Sequence, residues 1–140
     1  MKDTNTLSGI IHRILANITR DEALALHAWA TGLLTLRNSR KSTREKLQTI
    51  IRLTKEAPVL FPLIKKIALE LKQTGWDERS WESRLGMGVA LWATLLIAKA
   101  GVGIALLGGA IAVPLWIVFG SGDTFVKMLI NELKKRMPQG

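Results

Sequence analysis

The run LGMGVALWATLLIAKAGVGIALLGGAIAVPLWIVFG, Leu85 to Gly120, is 36 residues long and carries one charge, Lys99. A helix needs roughly 20 apolar residues to cross a bilayer, and the buried helix of a water-soluble bundle seldom sustains such a run. Two arrangements fit. One is a single span from about Ala100 to Phe119, with the preceding helix lying at the interface. The other is a helical hairpin with arms near 85–98 and 103–120, turning at Lys99 to Gly103, where glycine permits a sharp turn and lysine reaches toward headgroups. The first arm is short for a full span, and it would tilt, enter partway or thin the bilayer. Pro114 removes a backbone donor and is expected to kink the second arm.

Small residues line this segment. Gly101, Ala105 and Gly109 recur at intervals of four, and Gly108 and Ala112 widen the same face; Gly86, Ala90, Ala93, Thr94 and Ala98 form a similar stripe in the first arm. Such faces let helix backbones approach closely in lipid, so self-association through Gly101, Ala105, Gly108, Gly109 and Ala112 is expected. Trp76 and Trp81 on one side and Trp116 with Phe119 on the other stand where interfacial aromatics gather, and Lys99 is placed to reach an interface. A helical hairpin buried at the centre of a soluble bundle is the bland alternative, disfavoured by the cost of glycine inside water-soluble helices.

The flanking sequence is helical and basic. Twenty Lys and Arg oppose eleven Asp and Glu among 140 residues. Apolar side chains over residues 8–19 fall on one helical stripe. Thr19 with Glu22, and Ser42 with Glu45, read as capping boxes opening a second helix that runs to about Leu36 and a third with Leu47, Ile50, Ile51 and Thr54 on one face. Ala57-Pro58 ends the third, and Pro58 or Pro62 opens a fourth carrying Leu63, Ile64, Ile67, Ala68 and Leu71, stopped at Gly75. Asp123 to Met137 is amphipathic again. The fold class read from this pattern is all-α: an amphipathic bundle, a hydrophobic hairpin or one long transmembrane helix, and a short basic C-terminal helix. The divisions are 1–76, 77–121 and 122–140.

Between Arg37 and Lys66 stand nine Lys or Arg and two Glu. Arg37, Arg40, Lys41, Arg44, Lys46, Arg52 and Lys55 are expected to dock on anionic lipid headgroups, each contributing about 1 kcal/mol near the surface; an ordinary solvated helix face is the competing reading. Nucleic acid is disfavoured, because no aromatics interleave the charges and no binding motif is present. The absence of cysteine excludes disulfides, thiolate chemistry and Cys-based zinc sites. His12 and His27 lie on separate helices with no ligand-spaced partner, Asp21-Glu22 and Asp77-Glu78 suit first helical turns, and no phosphate loop or nucleophile motif is present. Neither an enzyme nor a cofactor is expected. Met1 to Arg20 lacks an uninterrupted h-region, so synthesis without a cleaved signal is expected. The inner or cytoplasmic membrane, with the N-terminal region on the cytoplasmic side, is the expected location.

The order of features, an apolar hairpin candidate at 85–120 followed by DTFVKMLINELKKR, resembles the C-terminal end of pore-forming colicin domains. The resemblance covers about a third of the chain. It implies a helical bundle that shelters an apolar hairpin and inserts it into membranes. The chain departs from that pattern in being shorter and in placing Lys99 within the apolar run. Three functions follow as expectations: a small membrane-inserting protein that oligomerises and permeabilises the bilayer; a membrane-anchored adaptor whose N-terminal bundle binds a partner protein; and a soluble helical interaction domain.

Overall fold

The computed structural model describes residues 4–73, 113–120 and 122–137. Over these the chain is all-α, with six helices: α1 (Thr4–Leu15), α2 (Arg20–Arg37), α3 (Thr43–Lys55), α4 (Phe61–Gln73), α5 (Val113–Phe119) and α6 (Asp123–Arg136); a 3-10 turn, Pro58–Leu60, precedes α4.

Local chemistry sets the boundaries. Glu22 N–H donates to Thr19 Oγ1 at 3.2 Å, and Thr19 N–H donates to the Glu22 carboxylate at 3.0 Å, so two orphan donors at the start of α2 are satisfied reciprocally. The same cap ends the expected stripe of 8–19 early: α1 stops at Leu15, and Ile18 stays partly buried just before the cap. Ser42 caps α3 by accepting from Glu45 N–H at 3.2 Å, but its hydroxyl, not its backbone N–H, meets the Glu45 carboxylate at 3.0 Å. Pro58 opens the 3-10 turn, and α4 begins three residues later.

The core forms where these helices cross. α2 packs against α3 on one side and α6 on the other, while α1 packs against α4 and α6. Ile10, Leu26, Ala30, Leu33, Ile50, Ile64, Ile67, Leu129 and Leu133 are fully buried at these crossings. Every apolar residue of the α6 face named from the sequence, Phe125, Val126, Leu129, Ile130 and Leu133, is buried. The C-terminal helix is thus a stave of the bundle that touches both α1 and α2.

One buried polar pair ties α2 to α3. Trp29 Nε1–H donates to Thr54 Oγ1 at 3.2 Å, and Thr54 is the buried polar side chain among the described residues. Thr54→Val preserves shape but strands the indole N–H, so chemical denaturation should show a loss of about 1–3 kcal/mol. A neutral result would mean that water reaches Trp29.

α5 joins α6 through a turn that glycine makes possible. The N–H groups of Gly120 and Gly122 both donate to the Trp116 carbonyl, at 2.9 and 3.2 Å. A Cβ on Gly120 would stand 2.8 Å from that carbonyl oxygen, and one on Gly122 would stand 2.9 Å from Ile117 Cα. Both obstacles are backbone, so neither yields cheaply. The helix axes meet at 109°. No single described helix is long and apolar enough to cross a membrane; α5 and α6 pass that test only as a bent pair.

Candidate functional site

The described end of the apolar segment is buried against the bundle. Val113, Leu115, Trp116, Ile117 and Val118 are all core residues, and the Trp116 ring lies 5.7 Å from Phe125 at 44°. Trp116, expected at a membrane interface, is 6% exposed here, and an interfacial position requires α5 to leave this packing. The expected span from Ala100 to Phe119 is described only over α5. Trp76, Trp81 and Lys99, the stripe Gly101, Ala105, Gly108, Gly109 and Ala112, and the hairpin turn lie outside the described residues, as does the residue one turn before Pro114 that its kink would involve.

Arg37 fastens this end to α2. Its Nη1 donates to the carbonyl oxygens of Ile117 at 2.7 Å, Gly120 at 2.6 Å and, longer, Val118 at 3.5 Å. Its Nη2 stands 3.9 Å from Asp123 at the start of α6. A helix C-terminus leaves its last carbonyls without intrahelical donors and carries partial negative charge, so a forked cation satisfies α5 and neutralises its dipole. Arg136 does the same more weakly for α1, donating to the Leu15 carbonyl at 3.4 Å while pairing with Glu132 at 3.4 Å.

The seven basic residues named from the sequence therefore separate into groups. Arg44, Arg52 and Lys55 fall on one exposed face of α3, at spacings of eight and three, on the flank away from Leu47 and Ile50. Arg40 and Lys41 are exposed in the loop before α3. Arg37 is occupied by α5, and Lys46 is partly buried with its Nζ donating to the Arg37 carbonyl at 3.4 Å. Of the seven, Arg40, Lys41, Arg44, Arg52 and Lys55 are exposed.

A groove between α2 and α3 went unnoticed in the sequence. It is a shallow groove of about 490 Å³, largely open to solvent. Ala28 and Gly32 on α2 and Thr49 and Leu53 on α3 line it, with Ala28 exposed. At Gly32 the missing side chain admits Leu53, whose Cδ1 lies 3.2 Å from where a Cβ would stand. His27 closes one end, and Ser39 and Lys41 stand at the other. His27 Nε2 is buried and has no hydrogen-bond partner among the described residues. The available signal was the interval-of-four ladder His27, Thr31, Thr35 beside small Ala28 and Gly32. Among the described residues no three His, Asp or Glu side chains converge on a metal position. No protein-family model, curated protein or solved structure matches the chain.

Proposed function

We propose that this protein docks on anionic bilayers, inserts its apolar segment, self-associates through the small-residue stripe and permeabilises the membrane. The observation carrying this reading is the run Leu85 to Gly120, with Lys99 its one charge, joined to a bundle that exposes Arg44, Arg52 and Lys55 on a single helix face. The bundle shelters α5 in the closed form, and insertion begins when α5 leaves Phe125 and Arg37. The cytoplasmic membrane, approached from its cytoplasmic face, is the proposed site of action.

Dye release from vesicles tests this. Vesicles containing phosphatidylglycerol should leak on addition of full-length protein, and phosphatidylcholine vesicles should not. Replacing Arg44, Arg52 and Lys55 by glutamine removes about 3 kcal/mol of surface attraction, a fall of about a hundredfold in partitioning. Silent vesicles with residues 85–112 shown inside the bilayer would sink permeabilisation. That outcome leaves a membrane-anchored adaptor, a reading favoured by the exposed apolar side chains Leu24, Val59 and Leu69, at 48%, 49% and 61% exposure. Exchanging 85–120 for an unrelated transmembrane segment preserves function only for an anchor.

A further inference from the structure

We infer that the outer face of the Pro58 turn and α4, which displays Val59, Pro62 and Leu69, is the surface that seats the bundle on an anionic bilayer. This rests on the docking step proposed above and assigns that step a face. α4 has two sides. Leu63, Ile64, Ile67, Ala68 and Leu71 are buried on one. Pro62, Lys66, Leu69 and Gln73, spaced by four, three and four, are exposed on the opposite helical phase. Val59, in the turn three residues before Pro62, continues that series and is exposed as well. Two of the large apolar side chains that the described residues expose therefore share one outer face, with a proline between them.

Charge names the occupant. From Arg52 to Lys66 the chain carries four cations and one acid, Glu56. The exposed Arg52 and Lys55 close α3 and lead into the turn, and Lys66 stands between Pro62 and Leu69. Lys66 Nζ donates to the Arg13 carbonyl at 3.2 Å, which uses one of its three donors. Glu70, the acid of α4, is drawn off the outer face: its carboxylate accepts from Arg13 Nε at 2.7 Å, and its side chain is 16% exposed. Apolar side chains set among cations on a helix surface match a lipid interface, where the apolar groups enter the acyl boundary and the cations meet the phosphates. Chain order agrees. The apolar run begins at Leu85, twelve positions after α4 ends at Gln73, so a seated α4 holds the start of that run close to the same interface.

The chain has no cysteine, so single cysteine replacements carry a label at a chosen position. Full-length Val59→Cys and Leu69→Cys, with Thr31→Cys on α2 and Asn131→Cys on α6 as exposed controls, are coupled to an environment-sensitive dye. Each is mixed with phosphatidylglycerol vesicles carrying a nitroxide at a shallow acyl position. The first two labels should shift to the blue and be quenched, and the two controls should do neither. Val59→Ser combined with Leu69→Ser replaces exposed side chains only. It should leave the unfolding midpoint unchanged and weaken co-sedimentation with vesicles about tenfold. Its remaining binding should vanish in high salt, where headgroup attraction is screened. Bound protein with both α4-face labels still in water would overturn this face and leave docking standing. Equal quenching of all four labels would overturn it too. Failure of the unsubstituted protein to sediment with these vesicles would overturn docking itself, and the inference with it. A blue shift that follows protein concentration without vesicles would assign the face to a second copy and overturn the bilayer as its occupant.

Discussion

Phe125→Ala is expected to destabilise the full-length protein by about 3–5 kcal/mol, read from the midpoint of urea unfolding followed by helical circular dichroism. Phe125 is fully buried in the first turn of α6, the point where the bent pair meets the bundle. Truncation removes its transfer free energy and leaves a cavity that α5 and α6 cannot collapse into, because the Gly120 and Gly122 backbone already lies against Trp116 and Ile117. The pair with Trp116 is lost as well, contributing about 0.5–1.5 kcal/mol beyond area. Phe125→Leu keeps most of the volume and should lose clearly less. A loss below about 1 kcal/mol for the alanine variant, far under the range for a buried ring, would show that α6 is not held in the core.

The elements easiest to read from the sequence were those set by neighbours in the chain. The Thr19 and Ser42 caps, the break at Ala57-Pro58 and the apolar stripe of α6 depend on spacings of four or fewer residues, and the structure has each of them. The features that escaped depend on contacts between distant elements. Thr54 reads as an ordinary member of an apolar stripe until Trp29 arrives from α2. Arg37 reads as one more basic residue in a basic stretch, because the carbonyls it meets are 80 and more positions away. The groove needs α3 to cross at Gly32, which only the Leu53 contact reveals. Charge composition cannot separate Arg37, held against α5, and Lys46, partly buried where α3 meets the end of α2, from the exposed Arg44, Arg52 and Lys55; helical phase separates Lys46 from that face but not Arg37.

Arg37→Gln is expected to lower stability by about 1.5–3 kcal/mol and to accelerate membrane insertion, and the two effects have one cause. The guanidinium is 27% exposed and donates to two carbonyl oxygens within 2.7 Å, so its removal strands acceptors that α5 cannot satisfy internally. Asp123 loses its cationic neighbour at the same time. Glutamine reaches less far, carries no charge and cannot bridge successive carbonyls. Arg37→Lys keeps the charge but not the planar fork, and should recover only part of the loss. If α5 must detach before the apolar segment enters a bilayer, the open form becomes more populated by the same free energy, about ten- to a hundredfold. Vesicle dye release should quicken by that factor in the glutamine variant and by less in the lysine variant. A variant that is destabilised yet inserts at the original rate would show that detachment of α5 does not limit insertion. An unchanged unfolding midpoint would show that Arg37 does not hold α5 at all. With both effects in the expected ratio, the contact that completes the end of α5 in the closed bundle is also the one that sets when the closed bundle opens.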